Sequence, residues 1–247
     1  MDYLLIISFF LIALIYASVG FGGGTSYLAL MAVMGVSFEV MRPAALLCNV
    51  VVVTGGTIIF YREGLLNLRR IWPFMVFSLP MAFLGGYYPI REAAFFRILG
   101  ITLVVAAFFL WFYDRFRHEA NSAVDHSMAS GALLGGGIGF LSGLVGIGGG
   151  IFLSPLLHFL RWDQARNISA LASVFILVNS ISGLAGQFTR SATLDWGLIL
   201  PLLAAVLLGG QLGSRWGARK FQAAQIRRVT ALLIFIAGMN ILINHWS

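Results

Sequence analysis

Charge is what this chain has least of. Asp, Glu, Lys and Arg make up 10% of its 247 residues, against 60% hydrophobic residues. A soluble domain carries about 25% charged residues, so a soluble fold would lack the polar side chains to cover itself. Lipid is the surface this composition calls for. Cysteine is nearly absent as well: Cys48 stands alone, which excludes an intrachain disulfide framework, a thiolate zinc site and an iron–sulfur cluster. No cofactor and no metal are implied. Carboxylates are missing from the middle of every long apolar run, since Glu39, Glu63, Glu92, Asp163 and Asp195 all fall in connectors. A proton relay on a buried acid, common in pumps, is therefore not visible. The net charge is +7, but the arginines sit between apolar runs without the interleaved aromatics of a nucleic-acid surface. They are read as setting membrane orientation, and no nucleic-acid partner is expected. The first run, Tyr3 to Val19, lacks both a preceding basic residue and a small-residue cleavage pattern. It is expected to belong to the mature fold rather than to a signal peptide.

What the chain does have is long apolar runs. The first stretch, Tyr3 to Val36, is interrupted by Gly20-Phe21-Gly22-Gly23-Gly24. Runs follow at Pro43 to Phe60, Ile71 to Tyr88 and Ile98 to Tyr113. After a polar segment the pattern restarts: Gly131 to Leu160 is interrupted by Gly146-Ile147-Gly148-Gly149-Gly150, and runs follow at Ile168 to Phe188, Trp196 to Leu212 and Val229 to Ile243. These should all be helices, because lipid offers no partner for a strand edge and the runs exceed barrel-strand length. The expected fold is an all-α polytopic membrane protein. A first repeat spans 1–113, a polar linker 114–128, and a second repeat 129–247.

The halves correspond feature by feature. The glycine clusters match at an offset of 126 (146 − 20), Arg42 aligns with Arg166, and Gly56 with Gly183. Trp72-Pro73 corresponds to Leu200-Pro201 and Leu84-Gly85 to Leu212-Gly213. Such duplication is a recurring plan in secondary transporters. If each glycine-broken stretch is a hairpin followed by three transmembrane helices, the halves are inverted. One side then holds 12 basic residues and the other holds Arg42, Arg91, Arg97 and Arg190. If every apolar piece crosses instead, the split is 10 to 6. The positive-inside rule favours the inverted hairpin arrangement, as does the shortness of Thr25 to Val36 and Ile151 to Leu160 against a core of about 30 Å.

Glycine-rich breaks in a membrane leave backbone groups unpaired at several kcal/mol each unless they line a cavity or bind something. A half-helix starting near Thr25 or Ile151 would aim amide groups and a positive dipole end inward, which suits an anion. The candidate substrate-binding residues are therefore Gly20, Gly22, Gly23, Gly24 and Thr25, with Gly146, Gly148, Gly149, Gly150 and Ile151. Ser26, Asn49, Ser154, Ser173 and Asn179 are candidate hydrogen-bonding groups, and the two amides are singled out because a buried amide is hard to satisfy locally. The competing reading is that the glycines serve helix packing. Gly23→Ala and Gly149→Ala, adding one methyl at little expected cost, should separate the two.

With these motifs the sequence resembles the TauE/SafE family of sulfite and organosulfonate exporters. Gly20-Phe21-Gly22-Gly23-Gly24 and Gly146-Ile147-Gly148-Gly149-Gly150-Ile151-Phe152-Leu153-Ser154-Pro155, each near the start of a half, carry the resemblance. The resemblance implies secondary transport of a small anion, without an enzymatic step, in a bacterial-type inner membrane. Partners would be the anionic substrate, the bilayer and, at most, further copies of the chain. Pro155 stands where the first half has Ala29, so halves of unequal shape are expected. An intramembrane hydrolase built on Ser142 and His158 lacks a Gly-x-Ser-Gly signature. His158, close to Arg161, is expected at the interface, and the six tryptophans in an aromatic belt. Arg42 and Arg166 either attract anions at the mouths or snorkel to headgroups. The remaining alternative is a non-transporting membrane scaffold.

Overall fold

The structure, a computed structural model, describes residues 2–18, 22–112, 128–160, 162–190, 194–217 and 223–245. Among these residues the fold is all helix: α1 (Asp2–Ser18), α2 (Gly24–Val33), α3 (Phe38–Arg62), α4 (Leu68–Tyr87), α5 (Glu92–Trp111), α6 (Met128–Val145), α7 (Gly150–Phe159), α8 (Ala165–Thr189), α9 (Trp196–Gly217) and α10 (Ala223–His245). Four of them, α3, α5, α8 and α9, are long and apolar enough to cross a membrane by themselves. Of the expected linker, 114–127 lies outside the described residues, and Met128 already opens α6.

Length follows from local sequence. The uninterrupted apolar runs give α3 and α8 of 25 residues each, about 37 Å at 1.5 Å per residue. The glycine clusters cut α2 and α7 to 10 residues each, about 15 Å, half of a bilayer core of about 30 Å. Pro155 leaves α7 no shorter than α2, so in length the expected inequality of the halves is not found. The proline occupies the sixth of ten positions, where its missing N–H costs a single bond.

The ends of the helices meet in a consistent way. Tyr3 at the start of α1, Met34 past the end of α2, Ser37 before α3 and Asp195 before α9 line one pocket of about 650 Å³. Arg42 near the start of α3 reaches Gly86 near the end of α4. Arg97 Nε donates to His245 O, joining the start of α5 to the end of α10. These termini share one face of the molecule, called here the N-terminal face. At the opposite face the start of α6 lies against the start of α4, with Gly131 on Pro73 and Phe74. The chain beyond α7 returns there, where Trp162 meets Phe74 edge-on at 4.9 Å. The α1–α2 pair thus opens on one face and the α6–α7 pair on the other.

The most extensive packing is α4 on α6 and α1 on α9, followed by α5 on α10. Glycines set these contacts. A Cβ on Gly135, Gly139 or Gly143 would overlap the carbonyl oxygens of Phe74, Ser78 or Ala82 on α4. On Gly209 or Gly213 it would overlap those of Phe10 or Leu14 on α1. Lipid tails are as apolar as leucine, so close backbone approach through small residues is what holds membrane helices together. Gly56 on α3 is different, because nothing lies within 4 Å of a Cβ placed there. Gly56→Ala is expected to raise Tm by about 2–4 °C, since alanine is favoured over glycine in a helix by about 1 kcal/mol. A fall in Tm in a thermal melt of the detergent-solubilised protein would contradict this.

The outside is apolar. Ile7, Phe108, Leu133, Ile236 and Ile243 are all more than half exposed, as lipid contact requires. Trp72, Trp111 and Trp196 are exposed near helix ends, in keeping with a belt. Trp162 is not part of one, because it is buried against Phe74. The side chain of Trp216 and the whole of Trp246 lie outside the description. His158 also departs from expectation. It is 2% exposed, enclosed by protein because α7 packs along α8 as it runs from the buried glycine turn to the opposite face.

Candidate anion site at the paired glycine turns

Both glycine breaks end in the same way, although Gly146 and Gly148 are left-handed too and Gly22 is not. Gly23 and Gly149 are the residues immediately before α2 and α7, and both are left-handed, with φ of 88° and 80°. Only glycine adopts this conformation without strain, so each turn can reverse the chain and start a new helix at once. The first amides of a helix have no partner within it, and here they belong to Gly24, Thr25 and Ser26 and to Gly150 and Ile151. Gly20 lies outside the described residues.

The two turns meet at Asn49. This residue is fully buried near the middle of α3. Its Nδ2 donates to Ile147 O in the second turn at 3.0 Å. A Cβ on Gly22 would stand 2.6 Å from Asn49 Oδ1, one on Gly148 2.8 Å from Asn49 Nδ2, and one on Gly24 would overlap the amide outright. One side chain of the first half therefore touches both turns. Ile147 O would also lie 2.7 Å from a Cβ on Gly24, so the two turns touch one another as well.

The surroundings are polar but incompletely paired. Among the described residues seven buried side-chain atoms have no hydrogen-bond partner. Four of the seven belong to residues against the turns: Tyr27 Oη beside Gly23, Asn49 Oδ1 between the turns, Ser180 Oγ beside Gly148 and Ser142 Oγ beside Gly149. Leaving such a group buried and unpaired costs about 1–3 kcal/mol. Such groups are uncommon in folded proteins, and several of them border the turns. Ser154 Oγ, in the second turn of α7, is a fifth.

The other predicted residues divide. Ser26 is engaged by Tyr16, Oη to Oγ 2.7 Å, and so faces α1. Ser173 Oγ donates to Ala170 O at 2.8 Å and lies 3.4 Å from Thr57 Oγ1, one turn along α8 from Ile176. Asn179 is fully buried, and its Oδ1 accepts from Ser78 Oγ on α4. It is not the counterpart of Asn49. Ile176 holds that place: its side chain would collide with a Cβ on Gly148 or Gly150 as Asn49 does at Gly22 and Gly24. Tyr27 and Ser142 also border the turns and were not expected there; Ser180, a membrane serine that sequence reading counts among the possible hydrogen-bond donors, lies beside Gly148.

The geometry also changes what a glycine substitution tests. Alanine at Gly23 or Gly149 would be strained by the positive φ, and its Cβ would come within 2.9 Å of Tyr27 or of Ile138 and Phe175. Either variant loses stability whether or not the turn binds anything, so Gly→Ala cannot separate binding from packing. The side chains of Asn49 and Ser180 can.

Among the described residues no group of three His, Cys, Asp or Glu side chains is placed to hold a metal. The site offers amides, hydroxyls and helix N-termini, which suit a small oxyanion.

The chain is similar to known membrane proteins. The family model described as "Sulfite exporter TauE/SafE" matches residues 5–241. The chain is 34% identical over 253 residues to a probable membrane transporter protein, y4hK, of Sinorhizobium fredii, covering 96% of this chain and 97% of that one. It is 22% identical to the probable membrane transporter protein YjnA of Bacillus subtilis, covering 90% and 92%. It is 24% identical to the probable membrane transporter protein MamO of Paramagnetospirillum magneticum, covering 83% of this chain and 38% of that one. No solved structure matches. A match over nearly the whole chain, joined to a helical fold with apolar spans, makes this a membrane transporter of the TauE/SafE family.

Proposed function

We propose that the protein exports a small oxyanion, sulfite or an organosulfonate, across a bacterial-type inner membrane by alternating access between two inverted halves. The observation that carries this reading is Asn49, fully buried between two left-handed glycine turns with its Oδ1 unpartnered. Support for the inversion is that the α1–α2 pair opens on the N-terminal face and the α6–α7 pair on the opposite one. Exchange of the site between faces is then a rocking of one half against the other. The end of α3, with Arg62, and the start of α10, with Arg228, lie on the opposite face, which is the cytoplasmic one by the positive-inside rule. The N-terminal face is the outer one.

No carboxylate lies within the long apolar runs, and the drive is the membrane potential. It is worth about 2.3 kcal/mol per charge per 100 mV and pushes anions out of a cell that is negative inside. In proteoliposomes, an imposed inside-negative potential should accelerate sulfite efflux. Efflux indifferent to potential but driven by a proton or sodium gradient would sink the electrogenic version. Absence of flux for sulfite, taurine and sulfate alike would favour the scaffold.

A further inference from the structure

We propose a second anion site on the outer side of the glycine turns, formed by Arg42 and Arg190. It rests on the transport reading above and adds a stop on the outward route. Arg42 stands seven residues before Asn49 on α3, hence on the same helix face and about 10 Å closer to the N-terminal face. Its backbone supports the second turn: a Cβ on Gly146 would lie 3.1 Å from Arg42 O. The side chain is half-buried. Its guanidinium reaches one backbone oxygen, Gly86 O, at a long 3.5 Å, and its Nε is buried with no partner at all. No carboxylate pairs with it among the described residues. Arg190 follows the end of α8, three residues beyond Gln187, and is exposed.

A half-buried cation with no counter-ion is costly. What relieves it is an anion. A lipid-facing arginine that snorkels would extend its head away from protein, whereas here Nε is buried and the guanidinium turns to Gly86 on α4. On α8 the buried Gln187 stands seven residues beyond Ser180, and its Nε2 lies 3.4 Å from Gly143 O. Polar groups thus lead from the central site to the arginines along two facing helices. The ligand class is a small oxyanion taken by charge-assisted hydrogen bonds, which a planar guanidinium provides well.

The test measures half-saturating sulfite on each face separately, in proteoliposomes of known orientation. Arg42→Gln should raise the outer-face value about tenfold or more, the loss expected for one charged hydrogen bond, and leave the cytoplasmic-face value within about twofold. Arg42→Lys, which keeps the charge, should recover part of the affinity. Arg190→Gln, at an exposed position, should raise the outer-face value about threefold, as a screened charge would. Unchanged values for a monodisperse Arg42→Gln protein, or equal losses on both faces, overturn the proposal. If Arg42→Gln fails to fold, an Arg190→Gln protein with an unchanged outer-face value overturns it instead. A defect that is present with anionic lipids and vanishes in vesicles of zwitterionic phosphatidylcholine alone would assign the arginines to anionic lipid headgroups and also overturn it. Loss of flux in Asn49→Leu with Arg42→Gln unaffected removes only this proposal, whereas absence of flux in the wild type removes the transport reading with it.

Discussion

Asn49→Leu is expected to lower anion flux about 100-fold while leaving the protein inserted and monodisperse. The substitution conserves volume and removes the one side chain that touches both glycine turns. Two effects combine. The amide is lost as a hydrogen-bonding group toward a charged guest, worth about 1.5–3 kcal/mol, and each 1.4 kcal/mol is a factor of ten. Ile147 O also loses its donor, which loosens the second turn. The stability change should be modest, because the buried Oδ1 that disappears was itself unpartnered. Flux in proteoliposomes and a thermal melt on the same preparation decide the matter. Wild-type flux in Asn49→Leu would remove the central site as described. Ser180→Ala should act in the same direction with a smaller loss, and Ile176→Asn, which places an amide opposite each turn, should alter substrate preference rather than abolish transport.

Gly143→Val should have the largest effect on the fold itself. A Cβ at this position already overlaps the Ala82 carbonyl and comes within 2.9 Å of Gly86 N, both backbone atoms that cannot swing aside. Gly183 of α8 approaches from a third direction, with its own Cβ position 3.1 Å from Gly143 Cα. Overpacking of a core typically costs about 1–3 kcal/mol, and three converging backbones give little room to relax. A Tm lowered by about 10 °C, or no folded protein, is expected. Gly137→Ala, six residues earlier on the same helix and facing open space, is the matched control and should be neutral or slightly stabilising. A Gly143→Val protein melting like the wild type would mean that α4 and α6 do not meet this way.

Much of this was legible in residues. The apolar runs foretold the helices, and the two glycine clusters foretold where helices would stop short. What was not legible is how helices choose neighbours. In lipid the apolar faces of α1, α4, α6 and α9 look alike, and no polar stripe says which face is inward. A signal did exist in Gly131, Gly135, Gly139 and Gly143, spaced by four, and in Gly209 and Gly213. That spacing marks one face of each helix as a seam. The site was half legible. Asn49 stood out as a buried amide and stands at the turns, whereas Asn179, singled out with it, is held by Ser78 on α4. Asn179 and Ile176 are three residues apart, a rotation of about 300° on the helix, so the amide turns to α4 while Ile176 lies against the second turn. Ser26 shows a different limit: a hydroxyl at the right sequence position was claimed by Tyr16, a partner set by packing rather than by sequence proximity.

The interlocking of α1 with α9 and of α4 with α6 bears on how the protein is made. Each helix of these pairs has its main neighbour in the other half of the chain, so neither half closes a core when it leaves the ribosome. At about 5–20 residues per second, α1 is complete roughly 10–40 s before α9 exists to receive it. During that interval Gly209 and Gly213 have not been synthesised, and Phe10 and Leu14 face lipid. Co-translational insertion must therefore deliver a loose set of helices, and the last steps of assembly belong to the finished polypeptide within the bilayer.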